Sequence, residues 1–439
     1  MLYPEKRPTA AALFVAALMV AVPNLVSAEG LSSIYEQARS SDPQFQQDVA
    51  DLNAREELLP QAKAGLRPDV SLNSTFDAID NRNLNDQYRE LTYGISLNQP
   101  LYRYSQSQAV DQADAQVSQA QAEFAFAEQE LILRVAERYF AVLDAREALD
   151  AAEANLEAIQ RQLDQAEQRF EVGVIARTDV EEARAQADLA RAERLQAKDD
   201  LASRREELRE LTNRAPAELN PVKSGVSLTP PEPAESAAWR ARAEEENRQL
   251  AAARFAAEAA MEGVDIQRGG RLPTADLVAG YNRSREYGKP GPETEANQLS
   301  AGVELNLPLY QGGEVSSGIR EAQARYTEAR GALEQTRRTV ARNAANAYRG
   351  VLTALERVRA LDQARVSTRA AVEATEAGFE VGTRTIVDVL NAQRELFNAE
   401  RDYEQARHAY LLNTLRLQQA AGTLTEADLE RVNALLGQT

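Results

Sequence analysis

No cysteine occurs in the 439 residues, and histidine occurs once, at His408. Without thiols there is no disulfide framework, no thiolate metal site, no cysteine nucleophile and no lipid attachment of the kind that needs a cysteine after a leader. One imidazole leaves little for metal ligation or proton transfer near neutral pH. The chain also lacks a phosphate-cradling glycine loop behind a strand, and any nucleophile with a paired histidine. Catalysis is therefore not expected, and no cofactor or resident metal is implied. Positive charge is short as well: 50 Lys and Arg stand against 68 Asp and Glu, for a net charge of −18. A surface that acidic argues against nucleic acid and against anionic lipid headgroups as partners.

Long apolar runs are absent after the N-terminal segment, which excludes a helical inner-membrane protein. In that segment Lys6 and Arg7 precede the apolar stretch Ala10 to Val22, and Val26-Ser27-Ala28 stands before Glu29. A basic head, an apolar stretch too short to span a bilayer and small residues at the exit predict a cleavable secretory leader over residues 1–28. An N-terminal anchor is the alternative.

What is present is a duplication. Phe170-Glu171-Val172-Gly173, followed by Thr178-Asp179-Val180, recurs as Phe379-Glu380-Val381-Gly382, followed by Ile386-Val387-Asp388-Val389. Leu97-Asn98-Gln99-Pro100-Leu101-Tyr102 recurs as Leu305-Asn306-Leu307-Pro308-Leu309-Tyr310, and Pro68 recurs as Pro273. The nearly constant offsets divide the chain into a first repeat over 29–214, a second over 237–421 and a tail over 422–439. The seam, 215–236, carries Pro216, Pro221, Pro230, Pro231 and Pro233.

Within each half the hydrophobic period changes twice. Helical patterning over 31–64 gives way to alternation at Val70, Leu72 and Phe76, then at Leu91, Tyr93, Ile95 and Leu97. The turn-rich Asp80-Asn81-Arg82-Asn83 lies between these runs. The spacing predicts strands over about 69–78 and 89–98, and in the second half over about 274–283 and 298–307. Helices follow over 104–173 and 179–214, matched by 312–381 and 386–421, with 237–270 preceding the second strand pair. Leu149, Ala152, Leu156, Ile159, Leu163, Ala166 and Phe170 are spaced 3-4-3-4-3-4, a heptad seam. The 104–173 span makes a helix about 105 Å long, and each long span equals the two shorter spans of its half laid end to end. The predicted class is mainly α with a small β part, in which duplicated helix–strand–strand–helix–helix units form a coiled-coil rod capped by four strands.

Four amphipathic strands cannot close a membrane barrel alone, because closed barrels begin at about eight strands. In lipid an open edge leaves backbone groups unpaired. If the strands are embedded, several copies must share one barrel. An ordinary half-buried soluble sheet is the bland alternative.

At this point the chain resembles the TolC family of outer-membrane efflux proteins, over nearly its whole length after the leader. The residues that carry the resemblance are Ile34-Tyr35-Glu36-Gln37-Ala38-Arg39 with Asp42-Pro43, and Arg161-Gln162-Leu163-Asp164-Gln165 with Arg169-Phe170-Glu171-Val172-Gly173. In the second repeat they are Leu307-Pro308-Leu309-Tyr310-Gln311-Gly312-Gly313 and Val381-Gly382-Thr383-Arg384-Thr385-Ile386-Val387-Asp388-Val389-Leu390. The resemblance implies a homotrimer with a twelve-stranded barrel in outer-membrane lipid, a helical tunnel in the periplasm, and an equatorial belt built from the linker and the C-terminal segment. It implies a passive exit duct of a tripartite efflux pump or type I secretion system in a Gram-negative bacterium. The tip of that duct is opened by a periplasmic adaptor and an inner-membrane pump of the RND or ABC class. The rival reading is a periplasmic coiled-coil adaptor or structural protein.

By the same resemblance the turns at Gly173 and Gly382 form the periplasmic, adaptor-docking tip, and Asp388 belongs to a carboxylate ring at the pore constriction. Three carboxylates close together attract cations, so polyvalent-cation block at Asp388 is expected. A helix-end aspartate stabilised by the dipole is the plain alternative. The family's second ring aspartate, one helical turn on, is Asn391 here. Polar links that hold such an entrance shut map to Thr178 and Asp179 with Arg384, and to Gln162 with Glu376. Phe379 stands where a tyrosine would supply a hydroxyl. Thr178 with Glu181 also reads as a capping box.

Overall fold

The computed structural model describes residues 28–81, 86–288 and 294–437. The expected leader up to Ser27, and Arg82-Asn83 of the expected turn, lie outside the described residues.

The first helical stretch forms three pieces, α1 (Leu31–Ser41), α2 (Pro43–Glu56) and α3 (Leu58–Ala64). Pro43 cannot donate a backbone hydrogen bond and pushes the residue before it out of the helical region. Asp42 accordingly sits at φ −67°, ψ 118°, and its carboxylate caps α2 by accepting from the Gln44 and Phe45 amides. A hairpin of β1 (Asp69–Asn81) and β2 (Asp86–Tyr102) follows, then α4 (Tyr104–Glu171) and α5 (Arg177–Thr212). The second repeat begins with α6 (Ser236–Glu246) and α7 (Arg248–Gly269). Asn247 breaks these two without a proline, accepting from the Leu250 amide and adopting ψ 127°. β3 (Thr274–Tyr287), β4 (Glu295–Asn306), α8 (Glu314–Glu380), α9 (Ile386–Ala421) and a short α10 (Glu426–Ala434) complete the chain.

α4 runs unbroken for 68 residues because no glycine or proline interrupts it. One part of α4 is flanked by α1, α2 and α3 and another by α5; α8 is flanked in the same way by α6, α7 and α9. The joints are pinned alike. The Ser41 hydroxyl donates to the Leu211 carbonyl at 3.2 Å, and the Asn247 amide donates to the Ala420 carbonyl at 3.1 Å. The repeats pack side by side through α4 with α7 and α4 with α9. The heptad seam of α4 is buried at Leu156, Ile159 and Ala166, whereas Phe170, at its far end, is 43% exposed.

Large side chains are buried in one zone midway along the rod. Trp239, Tyr139, Phe140, Leu31, Leu208 and Leu429 all belong to this cluster. Residues on both sides of the rod's middle tie into it: Glu29 bridges to Leu219, and Val222 bridges to Leu436. The Tyr139 hydroxyl, fully buried, shares its proton between the Glu29 carbonyl at 3.1 Å and the Asn220 carbonyl at 2.8 Å. A belt thus joins the start of the described chain, the proline-rich linker and the C-terminal segment.

At one end of the rod the four strands form a single antiparallel sheet in the order β1-β2-β3-β4. The registers set Leu72 opposite Ile95, Ile95 opposite Tyr281, and Tyr281 opposite Leu299. One face therefore carries the aliphatic and aromatic side chains, and Val70, Leu72, Phe76, Ile95, Leu299, Val303 and Leu305 are all exposed. The other face is mostly polar, with Ser71, Thr75, Ser96, Asn98, Asn282 and Glu304 on it and the Ser71 and Ser96 hydroxyls 2.7 Å apart. The strands run 12 to 17 residues, longer than the alternation alone predicts, because pairing continues past the apolar positions toward the turns. No helix among the described residues is long and apolar enough to cross a membrane.

Candidate functional site

The opposite end of the rod consists of two helical turns built alike. In the first, the Gly173 amide donates to the Phe170 carbonyl and the Val174 amide to the Arg169 carbonyl, both at 2.9 Å. In the second, Gly382 donates to Phe379 at 3.1 Å and Thr383 to Gly378 at 2.8 Å. This pattern ends a helix only where one residue is left-handed. Gly173 and Gly382 fill that place at φ 77° and 78°. Open space surrounds both, so backbone conformation and not crowding requires glycine there.

The helices that leave the turns start differently. Thr385 caps α9: the Asp388 amide donates to its hydroxyl at 3.2 Å, while its own amide and hydroxyl each donate to Asp388 Oδ2 at 2.9 Å. Those two hydrogen bonds, with the nearby Arg384 charge, hold the Asp388 carboxyl below the usual carboxylate range. In the first repeat the corresponding cap is Ala176, with no side-chain cap. Thr178 therefore lies inside α5, and the Thr178–Glu181 capping box read from the sequence is not formed.

A groove of about 410 Å³ lies between the two turns, lined by Gln165, Arg169, Asp179, Phe379, Arg384 and Thr385. It brings together Asp179 and Arg384, two of the sequence-predicted link residues, although no ion pair within 4 Å joins them among the described residues of one protomer. Thr178 is exposed beside it. Phe379 lies under the Arg169 guanidinium, 4.7 Å from the ring centroid, so its ring already has a cationic partner in the same chain. The second expected link is not made within the protomer. Glu376 accepts from Gln393 Nε2 at 2.8 Å, and Gln162 Oε1 is buried without a hydrogen bond. At the second ring position the Asn391 side-chain oxygen accepts from Arg394 Nη2 at 3.0 Å.

Each hairpin is clipped just above its turn, Arg184 donating to Glu167 at 2.9 Å and Arg369 to Glu400 at 2.6 Å. These pairs are exposed and contribute about 0–1 kcal/mol each. The core beneath is small: Ala166, Val180 and Ala183 in one cluster, Leu156, Ile159, Ala187, Ala190 and Leu390 in the next. Among the described residues no cluster of His, Cys, Asp and Glu could hold a metal ion. His408 serves packing. It is 2% exposed, with Nδ1 2.6 Å from Asp144 Oδ1 on the α4–α9 seam. Burial first, then Glu404 and Asp150, push the nearby Glu147 carboxyl up, against His408 and Arg146.

Sequence reasoning missed Thr385, Arg169 and Gln393. The first was legible, because Thr385-x-x-Asp388 has capping-box spacing. The other two become visible only when the turns are brought together.

The family described as outer membrane efflux protein matches residues 34–214 and 239–423. The chain is 37% identical over 429 residues to the outer membrane protein TolC of Vibrio cholerae serotype O1, covering 96% of this chain and 97% of that one. It is 31% identical to the alkaline protease secretion protein AprF of Pseudomonas aeruginosa, over 93% of this chain and 88% of the other. Among solved structures, the outer membrane protein VceC of Vibrio cholerae superposes with a TM-score of 0.74 at 22% identity, covering 89% of this chain and 96% of that one.

Proposed function

Because the chain belongs to the outer membrane efflux protein family, we propose that three copies of it close one twelve-stranded barrel and one helical tunnel, gated at the Gly173 and Gly382 turns. The family setting is that of a Gram-negative outer-membrane exit duct with a long periplasmic tunnel, serving efflux and secretion. It is a family of channels, not of enzymes.

The observation that carries the barrel is the exposed apolar face of the sheet. Leu72, Leu299 and Leu305 are largely exposed and share that face with Val70, Phe76, Ile95 and Val303, an apolar patch of the kind that marks a membrane or partner surface. Lipid on that face, with the Ser- and Asn-rich face lining water, accounts for both. The leader, the equatorial role of the belt, and the domain boundaries drawn above belong to the same reading. A periplasmic adaptor would leave the sheet face without purpose.

At the tip, Asp388 supplies a ring of three carboxylates facing the pore. Thr385 keeps each one ionised, while mutual repulsion in the ring acts the other way. Asn391, bonded to Arg394, adds no negative charge, so polyvalent-cation block is milder than in a channel with two carboxylate rings. Asp179 of one hairpin and Arg384 of a neighbouring one form the charged latch, with Thr178, Gln162, Glu376 and Phe379 around it. A periplasmic adaptor and an RND or ABC pump open that latch by docking at the turns, and the pump selects the cargo.

The test is single-channel conductance of the detergent-extracted protein in a planar bilayer, with divalent cation added on the helical side. Small cation-selective currents that fall as the divalent rises support the reading. A protein that is soluble without detergent and does not conduct overturns it.

A further inference from the structure

The same six-residue motif has two conformations in this chain. In the first repeat Gln99-Pro100-Leu101-Tyr102 is the end of strand β2, because β3 lies beside it: Gln99 faces Leu277, Pro100 faces Asp276, and Tyr102 faces Ala275 past a bulge. In the second repeat Leu307-Pro308-Leu309-Tyr310 leaves the sheet after Asn306. Leu309 is 90% exposed and Tyr310 89%. Nearly identical residues cannot differ by propensity. The difference is that β2 has a strand on both sides, whereas β4, at the outer edge, is paired with β3 alone.

The hairpins themselves superimpose residue for residue. Asp69 pairs with Asn98 as Thr274 pairs with Asn306. The turns that lead in are also matched: Gly65, Leu66 and Arg67 donate to Ala62, Lys63 and Ala64 as Gly270, Arg271 and Leu272 donate to Gln267, Arg268 and Gly269. The β2–β3 seam is thus a junction between two copies of one hairpin, joined head to tail. A second chain presenting its β1 to the free edge of β4 offers the same junction.

We propose that β4 extends through Tyr310 on assembly and pairs with β1 of the next copy in the register of the internal seam. Ile95 opposite Tyr281 then translates to Val303 opposite Phe76 of the next copy. Gln99 opposite Leu277 translates to Leu307 opposite Leu72, and Tyr102 opposite Ala275 to Tyr310 opposite Val70. Each of these pairs keeps apolar side chains on one face, as the pleat requires, and a slip of one residue would turn them all over. At the base of the seam the Arg103 guanidinium holds Asp276 through two hydrogen bonds, at 2.9 and 3.0 Å. The translated positions are Gln311 and Ser71, so the seam between copies has a neutral pair where the internal one has an ion pair. This inference rests on the shared-barrel reading.

The cysteine-free sequence gives a clean test. On the polar face, Ser96 opposite Gly280 translates to Glu304 opposite Thr75 of the next copy. Directly opposed residues lie about 4.5–5.5 Å apart, and those displaced by two about 7–8 Å. The second spacing exceeds what a disulfide bridges. Glu304→Cys with Thr75→Cys, oxidised in detergent, is expected to convert nearly all of the protein into covalent trimers. Glu304→Cys with Asn73→Cys or with Asp77→Cys is expected to convert less than about a tenth. Preferential cross-linking of either displaced pair overturns the register. No cross-linking in any pair, with the protein still trimeric by light scattering, overturns the β4–β1 junction. A monomer by light scattering overturns the barrel itself. Independently, hydrogen exchange on the unmodified trimer should protect the Leu309 and Tyr310 amides as well as those of Leu101 and Tyr102; fast exchange at 309–310 overturns the strand extension.

Discussion

The belt and the tip are built largely from the same four helices, yet they are packed in opposite ways. In the belt, α4, α5, α8 and α9 bury Tyr139, Leu208, Tyr348 and Leu415, with α6 contributing Trp239 at 1% exposure. At the tip α4, α5 and α9 bury two small clusters, half of whose members are alanine, and the turns expose Val172, Val174 and Val381. Buried area sets stabilisation at roughly 25 cal/mol per Å², so the belt holds the protomer together and the tip is left near balance. A gate belongs where little area must be uncovered to move it.

Five substitutions test that contrast, in falling order of effect. Trp239→Ala removes the largest buried side chain of the belt and strands the Pro233 carbonyl that its indole N–H reaches at 2.8 Å. The expected loss is about 3–5 kcal/mol, read as a fall in the unfolding temperature of the detergent-solubilised protein. A change under about 1 kcal/mol would erase the distinction between belt and tip. Gly382→Ala and Gly173→Ala force alanine into the left-handed region, at about 1–2 kcal/mol each. Equal effects in thermal unfolding would show the two turns to be mechanically alike; unequal ones would mean that one turn carries the strain alone.

Thr385→Ala separates the turns at their caps, where the first repeat has Ala176 and no side-chain cap. It removes the hydroxyl that caps α9, at a cost of about 1 kcal/mol, and with it one of the two hydrogen bonds to the Asp388 carboxylate, while the main-chain amide of residue 385 keeps the other. The carboxyl then rises toward its ordinary range. Because its pKa in the folded protein is held low, the Asp388 carboxylate stays ionised at acidic pH and is lost only as pH falls through that lowered value. Divalent block should therefore disappear at a higher pH in Thr385→Ala than in the parent, measured by titrating single-channel currents. Coincident titrations would remove Asp388 from the site. Arg384→Ser has the smallest expected effect on stability, within about 1 kcal/mol for an exposed ion pair, but should raise resting conductance. Unchanged conductance would reduce Arg384 and Asp179 to ordinary surface charges.

Much of this architecture was legible. The repeat offsets, the alternation at Val70–Phe76 and Leu91–Leu97, and the proline-free run from Tyr104 are local signals, and each marks an element where the chain folds it. What was hidden depends on distance in space. Asn247 breaks a helix as Asp42-Pro43 does, but its signal is only a side chain able to cap, and capping residues occur in many places that do not break. The belt was given only by the resemblance, as a linker and a C-terminal segment; its packing was hidden, because Tyr139, Asn220 and Glu29 carry no pattern that brings them together. At the tip the resemblance named Glu376 and Gln162, while within the protomer Glu376 accepts from Gln393, a pairing inside one helical hairpin that no sequence pattern marks.

The seam between β2 and β3 also orders events in time. It joins Arg89 to Tyr287, residues separated by roughly 200 positions of chain, so it can close only after α4, α5, the linker, α6 and α7 have been made, and it carries the loop-closure cost of that whole span. The helical hairpins α4–α5 and α8–α9 are local and can form as soon as they emerge. The sheet with the exposed apolar face therefore completes more slowly than the helical hairpins, and a new chain carries α4–α5 as a local hairpin while its apolar strands are still unpaired across the repeats.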